Sequence, residues 1–122
     1  MTRSTRIAAA VCAACLIALT AHAGLKVIGE GADRRFDPAQ FPPEYQASYK
    51  LMEARCNVAD CHDFQRTVDA IATGVATVTN TPFDKAAAKA YGVKMMRMPN
   101  SGIDKAEAKQ LVELMYYMID QR

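Results

Sequence analysis

The chain has 122 residues, with 15 basic and 13 acidic side chains and a formal net charge of +2. This length suits one small domain with a modest core, and the near balance of charge gives no indication of a nucleic-acid partner. Beyond the N-terminus no apolar stretch approaches the roughly 20 residues of a membrane span. No membrane insertion is therefore expected for that part of the chain.

The first 23 residues are typical of a secretory signal peptide. Arg3 and Arg6 give a positive start, residues 7–20 form an apolar run that is short for a membrane span, and residues 21–23 (Ala-His-Ala) make a small-x-small cleavage site. An uncleaved anchor helix is the alternative interpretation. Cleavage after Ala23 would remove the two arginines and leave 99 residues, with 13 basic and 13 acidic side chains. The sequence predicts an exported, periplasmic protein without formal net charge.

Residues 24–42 contain three glycines and two prolines and show little periodicity, which predicts an extended N-terminal arm ahead of a domain formed by residues 43–122. Pro43 suits the first turn of a helix that runs to about Cys56. The apolar positions of this helix fall on one continuous face, formed by Tyr45, Tyr49, Met52 and Cys56.

Two shorter helices are predicted in the middle of the chain. Asp63 is a suitable N-cap for a helix that stops near Gly74, and residues 75–80 are predicted to form a loop because no partner strand is evident. Residues 81–84 (Thr-Pro-Phe-Asp) offer an N-cap, a proline at the first helical position and an acid at the third. This pattern predicts a short helix that ends at Gly92.

The clearest helix start lies near the C-terminus, where Asp104 and Glu107 form a capping-box pattern. The helix that they begin is predicted to run to about Gln121. Its apolar stripe consists of Ala108, Leu111, Val112, Met115, Met118 and Ile119. Four helices and no credible sheet predict an all-α fold.

The segment Cys56–His62 (Cys-Asn-Val-Ala-Asp-Cys-His) contains the most informative motif. Two thiols followed directly by an imidazole are the pattern of covalent haem attachment, in which each Cys adds to a haem vinyl group and the His binds iron. Four residues separate Cys56 and Cys61, where the usual motif has two. After signal cleavage these are the only cysteines and His62 is the only histidine, one ligand short of a structural zinc site. Haem attachment and a disulfide, which export favours, are equally open at this point.

A haem iron held by His62 needs a second axial ligand or an open site. No other histidine follows residue 23, so a thioether or a lysine remains as a second ligand from this chain. Met95, Met96 and Met98 lie in segment 94–103, whose proline, glycine and asparagine predict a loop. Because a loop has few neighbours to fill, we interpret this cluster as a source of an iron ligand, whereas the methionines inside helices fill the core.

In these features the chain resembles the class I cytochromes c over essentially all of the domain that follows the signal peptide. A helix with an aromatic face enters Cys…Cys-His, and a Met-Pro loop precedes a capped C-terminal helix with an aromatic pair at residues 116–117. In small bacterial members, the axial methionine is followed at set positions by a proline, an aliphatic residue, a helix N-cap and a glutamate. The residues that match this register are Met98, Pro99, Ile103, Asp104 and Glu107. The resemblance implies Met98 as the distal ligand, with Met96 as the second choice.

Three features depart from the family pattern. The four-residue spacing between the cysteines is rare in class I proteins. The Gly-Pro segment that usually follows the motif and orients the histidine is missing, since Pro82 lies twenty residues downstream of the motif. No tryptophan is present to bond a haem propionate, so tyrosines, Asn100 or arginines would do so.

The resemblance implies an all-α, class I cytochrome c-like fold of about four helices around one haem c. Cys56 and Cys61 would form the thioethers, His62 would be the proximal ligand, and Met98 or Met96 would be the distal ligand. With both axial positions filled, such a protein transfers electrons and is not an enzyme.

The implied partners are redox proteins of the periplasm. The chain itself would be a monomer or a subunit of a complex. Lys94 and Arg97 flank the methionines, where they would either steer a docking partner or form an ordinary pair of solvated charges. One alternative is a haem-bearing subunit, or a haem protein that reacts with gas or peroxide, in an oxidoreductase complex. The other is a disulfide-stapled helical binding module without haem.

Overall fold

A computed structural model describes residues 24–57 and 63–122. The expected signal peptide, residues 1–23, lies outside these ranges, as do Cys61 and His62. The described ranges contain four α-helices and one small antiparallel pair of strands. In chain order these are β1 Val27–Ile28, β2 Arg35–Phe36, α1 Pro43–Cys56, α2 Phe64–Thr73, α3 Lys85–Arg97 and α4 Lys105–Asp120. The predicted helical fold is confirmed at this level, and the two-residue strands were not predicted.

The N-terminal arm, residues 24–42, packs onto the helices. Strand β1 pairs with β2, with Val27 opposite Phe36. Gly29 makes the turn between them at a φ of +76°, where a Cβ would meet the carbonyl oxygen of Asp33 at 2.4 Å. Phe36 and Phe41 are buried in the core, and the Tyr49 hydroxyl of α1 donates a hydrogen bond of 2.8 Å to the Phe36 carbonyl oxygen. These contacts join the arm to the same core as the helices.

Helix α1 has the predicted bounds and the predicted buried face. Proline at its first position has no amide hydrogen to leave unbonded, which suits a helix start. Tyr49, Met52 and Cys56 are buried, and Tyr45 stacks on Tyr117 of α4 with 4.3 Å between ring centroids. The face therefore delivers Cys56, the last residue of α1, to the inside of the molecule.

Helix α2 also begins and ends where predicted. Asp63 occupies its N-cap position, and Gly74 ends it in the left-handed region at a φ of +76°. Residues 75–81 then form a tight turn, in which the Ala76 amide donates to the Thr81 carbonyl oxygen at 2.8 Å. An isolated antiparallel bridge between Val75 and Pro82 closes this turn.

Helix α3 differs from the prediction at both ends. The bridge to Val75 holds Pro82 outside the helix, and Asp84 is the N-cap, accepting a hydrogen bond of 2.9 Å from the Ala87 amide. The helix then continues through Gly92 to Arg97. Gly92 is a point of close approach to α4 and not a helix stop, since a Cβ there would lie 2.4 Å from Cγ2 of Val112.

The longer α3 corrects the expectation of a methionine loop over segment 94–103. Met95 and Met96 lie in the last turn of the helix, and Met98 is its C-cap residue. Helical backbone therefore sets the directions of these two side chains, and the irregular segment begins only at Met98.

Helix α4 has the predicted capping box. The Asp104 carboxylate accepts from the Glu107 amide at 2.8 Å, and the Glu107 carboxylate accepts from the Asp104 amide at 3.2 Å. Within the predicted stripe, Val112 and Ile119 are only partly buried, whereas Leu114, which the stripe omitted, is fully buried. The methionines expected to fill the core do so: Met52, Met115 and Met118 are at most 2 % exposed.

None of the helices in residues 24–57 and 63–122 combines the length and the apolar character of a membrane span.

Candidate functional site

A cavity of about 590 Å³ lies where the end of α1 meets α2, the turn at residues 75–81 and the last turns of α3. This volume falls in the range of about 300–1,000 Å³ that is usual for ligand and cofactor sites. Apolar side chains dominate its wall, namely Cys56, Ala70, Ala76, Val78, Phe83, Ala87, Ala90, Met95, Met98 and Ile103. The cavity is therefore suited to a large apolar group.

Cys56 brings the first half of the predicted haem motif to this wall. Its side chain is 9 % exposed, and burial raises the pKa of the thiol from 9.0 to about 12. Residues on both sides of segment 58–62 line the cavity, Cys56 before it and Arg66 and Thr67 after it. Cys61 and His62 belong to that segment and lie outside the described residues.

The methionines differ in their relation to the cavity. Met98 lines it and is 43 % exposed, and Met95 lines it while packing partly against the core. Met96 packs partly buried against the core and is not part of the cavity wall. Positions three apart share a helical face whereas adjacent positions do not, which explains why Met95 and Met98 point the same way and Met96 does not.

Met95 belongs to the predicted methionine cluster but was not one of the two residues chosen as ligands, Met98 and Met96. Its signal would have been the three-residue spacing to Met98, which has meaning only if the backbone at residues 95–97 is helical. Because segment 94–103 was predicted to be a loop, the spacing between Met95 and Met98 was not interpreted as a shared helical face.

The polar groups of the wall are hydroxyls and cations. The Thr67 and Tyr91 hydroxyls lie 3.2 Å apart and share a hydrogen bond. Arg55, Arg66 and Lys94 also line the cavity, and no carboxylate of the described ranges does. Such a wall favours a ligand that is apolar in its body and anionic at its edge.

Arg55 shows where an anionic group would find a partner. Its Nη2 donates to Oε1 of Glu107 at 2.8 Å, and this hydrogen bond raises the pKa of the guanidinium. Its Nε is buried and has no hydrogen-bond partner among residues 24–57 and 63–122. Protein atoms cover this Nε, so an anionic group would meet Arg55 through the exposed part of its side chain, which is 38 % exposed.

The residues present fit a covalently bound haem. The cavity has the apolar volume, Cys56 presents a sulfur at its wall, and Met98 and Met95 present thioethers. Arg55 and Arg66 present donors suited to propionates. Across the described ranges, no group of three or more His, Cys, Asp or Glu side chains is placed to hold a metal ion.

Comparison with protein-family models, with curated proteins and with solved structures found no match to this chain.

Proposed function

We propose that this protein is a periplasmic electron carrier with one haem c bound in the cavity between α1, α2 and the end of α3. The observation that supports this most is the meeting of Cys56 and Met98 at one cavity wall. They come from the ends of different helices. The family resemblance implies covalent attachment for Cys56 and distal ligation for Met98.

In this proposal Cys56 and Cys61 would hold the haem through thioether bonds, and His62 would bind its iron. Met98 is the distal ligand, supported over Met96 because it lines the cavity; Met95 lines it as well. Bound haem supplies one-electron exchange between the ferric and ferrous states of its iron. A thioether ligand is soft and favours ferrous iron, which raises the reduction potential relative to ligation by two histidines.

The remaining wall residues hold and shield the group. Arg55 lines the cavity and would offer a positive charge to a propionate, while its Nη2 stays bonded to Glu107. The turn at residues 75–81 forms one side of the cavity wall with Ala76, Val78 and three threonines. Apolar side chains at this wall would lower the polarity around a bound haem, which favours the less charged, reduced state.

The presence of haem is tested on the full chain, exported by a bacterium that attaches haem to c-type cytochromes. We expect a pyridine haemochrome that survives acid–acetone extraction and an intact mass that corresponds to residues 24–122 plus one haem. The double variant Cys56→Ser, Cys61→Ser is the matched control and should lose covalent haem. A colourless wild-type protein whose mass is lower by two hydrogens would contradict the proposal and identify a Cys56–Cys61 disulfide.

The distal ligand is tested with Met98→Ala, Met96→Ala and Met95→Ala, each prepared as the haem-bearing protein. We expect Met98→Ala to abolish the weak far-red charge-transfer band of the ferric protein and to allow carbon monoxide to bind the ferrous form. Met96→Ala, which removes a thioether outside the cavity wall, should keep the band. Loss of the band only in Met95→Ala would move the assignment to Met95. Wild-type protein without the band and with high affinity for carbon monoxide would favour a five-coordinate, reactive haem.

A further inference from the structure

The exposed face of α3 has cations and no acid. The helix contains Lys85, Lys89, Lys94 and Arg97, and no Asp or Glu between Lys85 and Arg97. Lys85 is paired with Asp120 at 2.7 Å. Among the described residues, Lys89, Lys94 and Arg97 have no carboxylate within ion-pair distance. Three positive charges on this face are thus available to a partner.

These three cations surround a recessed apolar floor. A groove of about 630 Å³ runs along α3, with Ala86, Ala90 and Val93 between the cations. The small side chains of the two alanines leave the floor lower than the lysine and arginine side chains that flank it. An apolar centre inside a charged rim is the arrangement typical of protein–protein interfaces.

The groove continues into the candidate haem cavity, because Ala90, Lys94 and Met98 line both. Of the three large apolar side chains that are exposed in the described ranges, Val78 and Met98 lie at this cavity. Exposed apolar side chains that cluster at one place mark an interaction surface more than scattered ones do. The α3 face and the mouth of the cavity therefore form one continuous surface, which we call the α3 surface.

The positive charge of the α3 surface is a local property. Residues 24–122 contain 13 basic and 13 acidic side chains, so their formal charge is zero. Neither the groove nor the cavity has a carboxylate in its wall within the described ranges, although five cations line the two together. Charges separated in this way on a neutral protein orient it during an encounter.

We propose that the α3 surface is the docking site for a protein whose complementary surface is acidic around an apolar projection. The acidic groups pair with Lys89, Lys94 and Arg97, and the projection enters the groove over Ala86 and Ala90. A flat anionic membrane surface fits less well, because the apolar side chains between the cations are two alanines and a valine, which give a bilayer little apolar surface to bury. The use of this surface for electron delivery rests on the proposed function, whereas its charge pattern does not require haem.

The test uses the exported protein and a dye-labelled probe peptide, a helix with glutamates on both sides of a central leucine stripe. We expect binding that weakens as salt is added. The triple variant Lys89→Gln, Lys94→Gln, Arg97→Gln should lower the association constant about tenfold, because it removes three exposed ion pairs that each contribute modestly to binding. The triple variant Lys50→Gln, Lys105→Gln, Lys109→Gln changes the net charge equally, with exposed lysines outside the α3 surface. It should bind the peptide nearly as well as wild type.

Equal weakening by the two triple variants would overturn the proposal, because attraction would then depend on net charge alone. Absence of binding to the peptide would overturn it as well. So would binding only to vesicles of equal parts phosphatidylcholine and phosphatidylglycerol, which would identify a membrane surface as the partner. The haemochrome of the same preparation reports separately on haem, so failure of the docking site and failure of the electron-carrier proposal remain distinguishable.

Discussion

At the scale of single residues, the surroundings of Cys56 decide its chemistry. Helix α1 places its thiol at the cavity wall with 9 % of the residue exposed. Burial favours the uncharged form and raises the pKa of the thiol to about 12. A protonated thiol is a poor nucleophile, so in a folded chain without haem Cys56 is expected to be unreactive at neutral pH. Haem attachment would convert this sulfur to a thioether, which does not titrate.

The buried thiol predicts that the reduced, haem-free chain loses stability as pH rises from about 9 to about 12. In this window the unfolded chain releases the thiol proton and the folded chain retains it, so the folded state binds more protons. The free energy of unfolding should fall by as much as about 1.4 kcal/mol per pH unit from this group. Guanidinium unfolding of residues 24–122 at several alkaline pH values measures the slope.

The matched variant is Cys56→Ala, which removes the contribution of this thiol to the slope of unfolding free energy against pH. Burial also raises the pKa of Tyr49, so the variant should retain a smaller alkaline slope. Identical slopes for the two proteins would show that the Cys56 thiol titrates normally in the folded chain.

At the scale of elements, the contact between α3 and α4 positions the end of α3 at the cavity. Gly92 allows the close approach, since a Cβ there would lie 2.4 Å from Cγ2 of Val112. Val is branched at Cβ and rotates little within a helix, so the methyl group cannot easily move away. Beyond this contact, Met95 lies in the last turn of α3 and lines the cavity. Met98, the C-cap residue of α3, lines it as well.

Gly92→Ala tests this contact, because two effects of opposite sign compete. Alanine in a helix interior is more favourable than glycine by about 0.5–1 kcal/mol. Overpacking against Val112 costs about 1–3 kcal/mol. We expect the overpacking to prevail and the free energy of unfolding to fall by about 1–2 kcal/mol, measured by urea unfolding.

The double variant Gly92→Ala, Val112→Ala serves as the control. It should be more stable than the sum of the single changes predicts, because removal of the Val112 methyl groups relieves the overlap. A stabilised Gly92→Ala protein would contradict the close packing of α3 on α4.

At the scale of the whole molecule, the N-terminal arm and the helices share one core. Phe36 is fully buried, Phe41 stacks on Tyr49 with 4.5 Å between ring centroids, and the Tyr49 hydroxyl bonds to the Phe36 carbonyl oxygen. Outside the core, Arg34 of the arm is paired with Asp69 of α2 at 3.0 Å. We therefore expect the arm to unfold together with the helices.

Phe36→Ala should lower the free energy of unfolding by about 3–5 kcal/mol, the usual cost of truncating a buried phenylalanine. Phe36→Leu leaves a smaller cavity and should cost clearly less. Unfolding followed by circular dichroism and by tyrosine fluorescence should give coincident transitions for the wild type. Two separate transitions, or a cost below about 1 kcal/mol for Phe36→Ala, would show that the arm folds independently of the helices.

Local sequence determined the helices whose ends depend on nearby residues. Pro43 starts α1, Gly74 ends α2, and Asp104 with Glu107 starts α4, each as predicted. These signals act through hydrogen bonds and backbone preferences within a few residues, which a sequence displays directly. The buried face that leads to Cys56 was predicted for the same reason, since its periodicity lies within one helix.

Tertiary structure alone decided the length of α3 and the wall of the candidate site. Glycine usually weakens a helix, and only contact with Val112 on another helix makes Gly92 an interior residue of α3. That longer helix turns Met95 and Met98 toward the cavity and Met96 away from it. Likewise, Phe36 belongs to the core because Tyr49 and the helices pack on it. Packing joins residues that are far apart in the chain, and spacing along a sequence contains no measure of those distances.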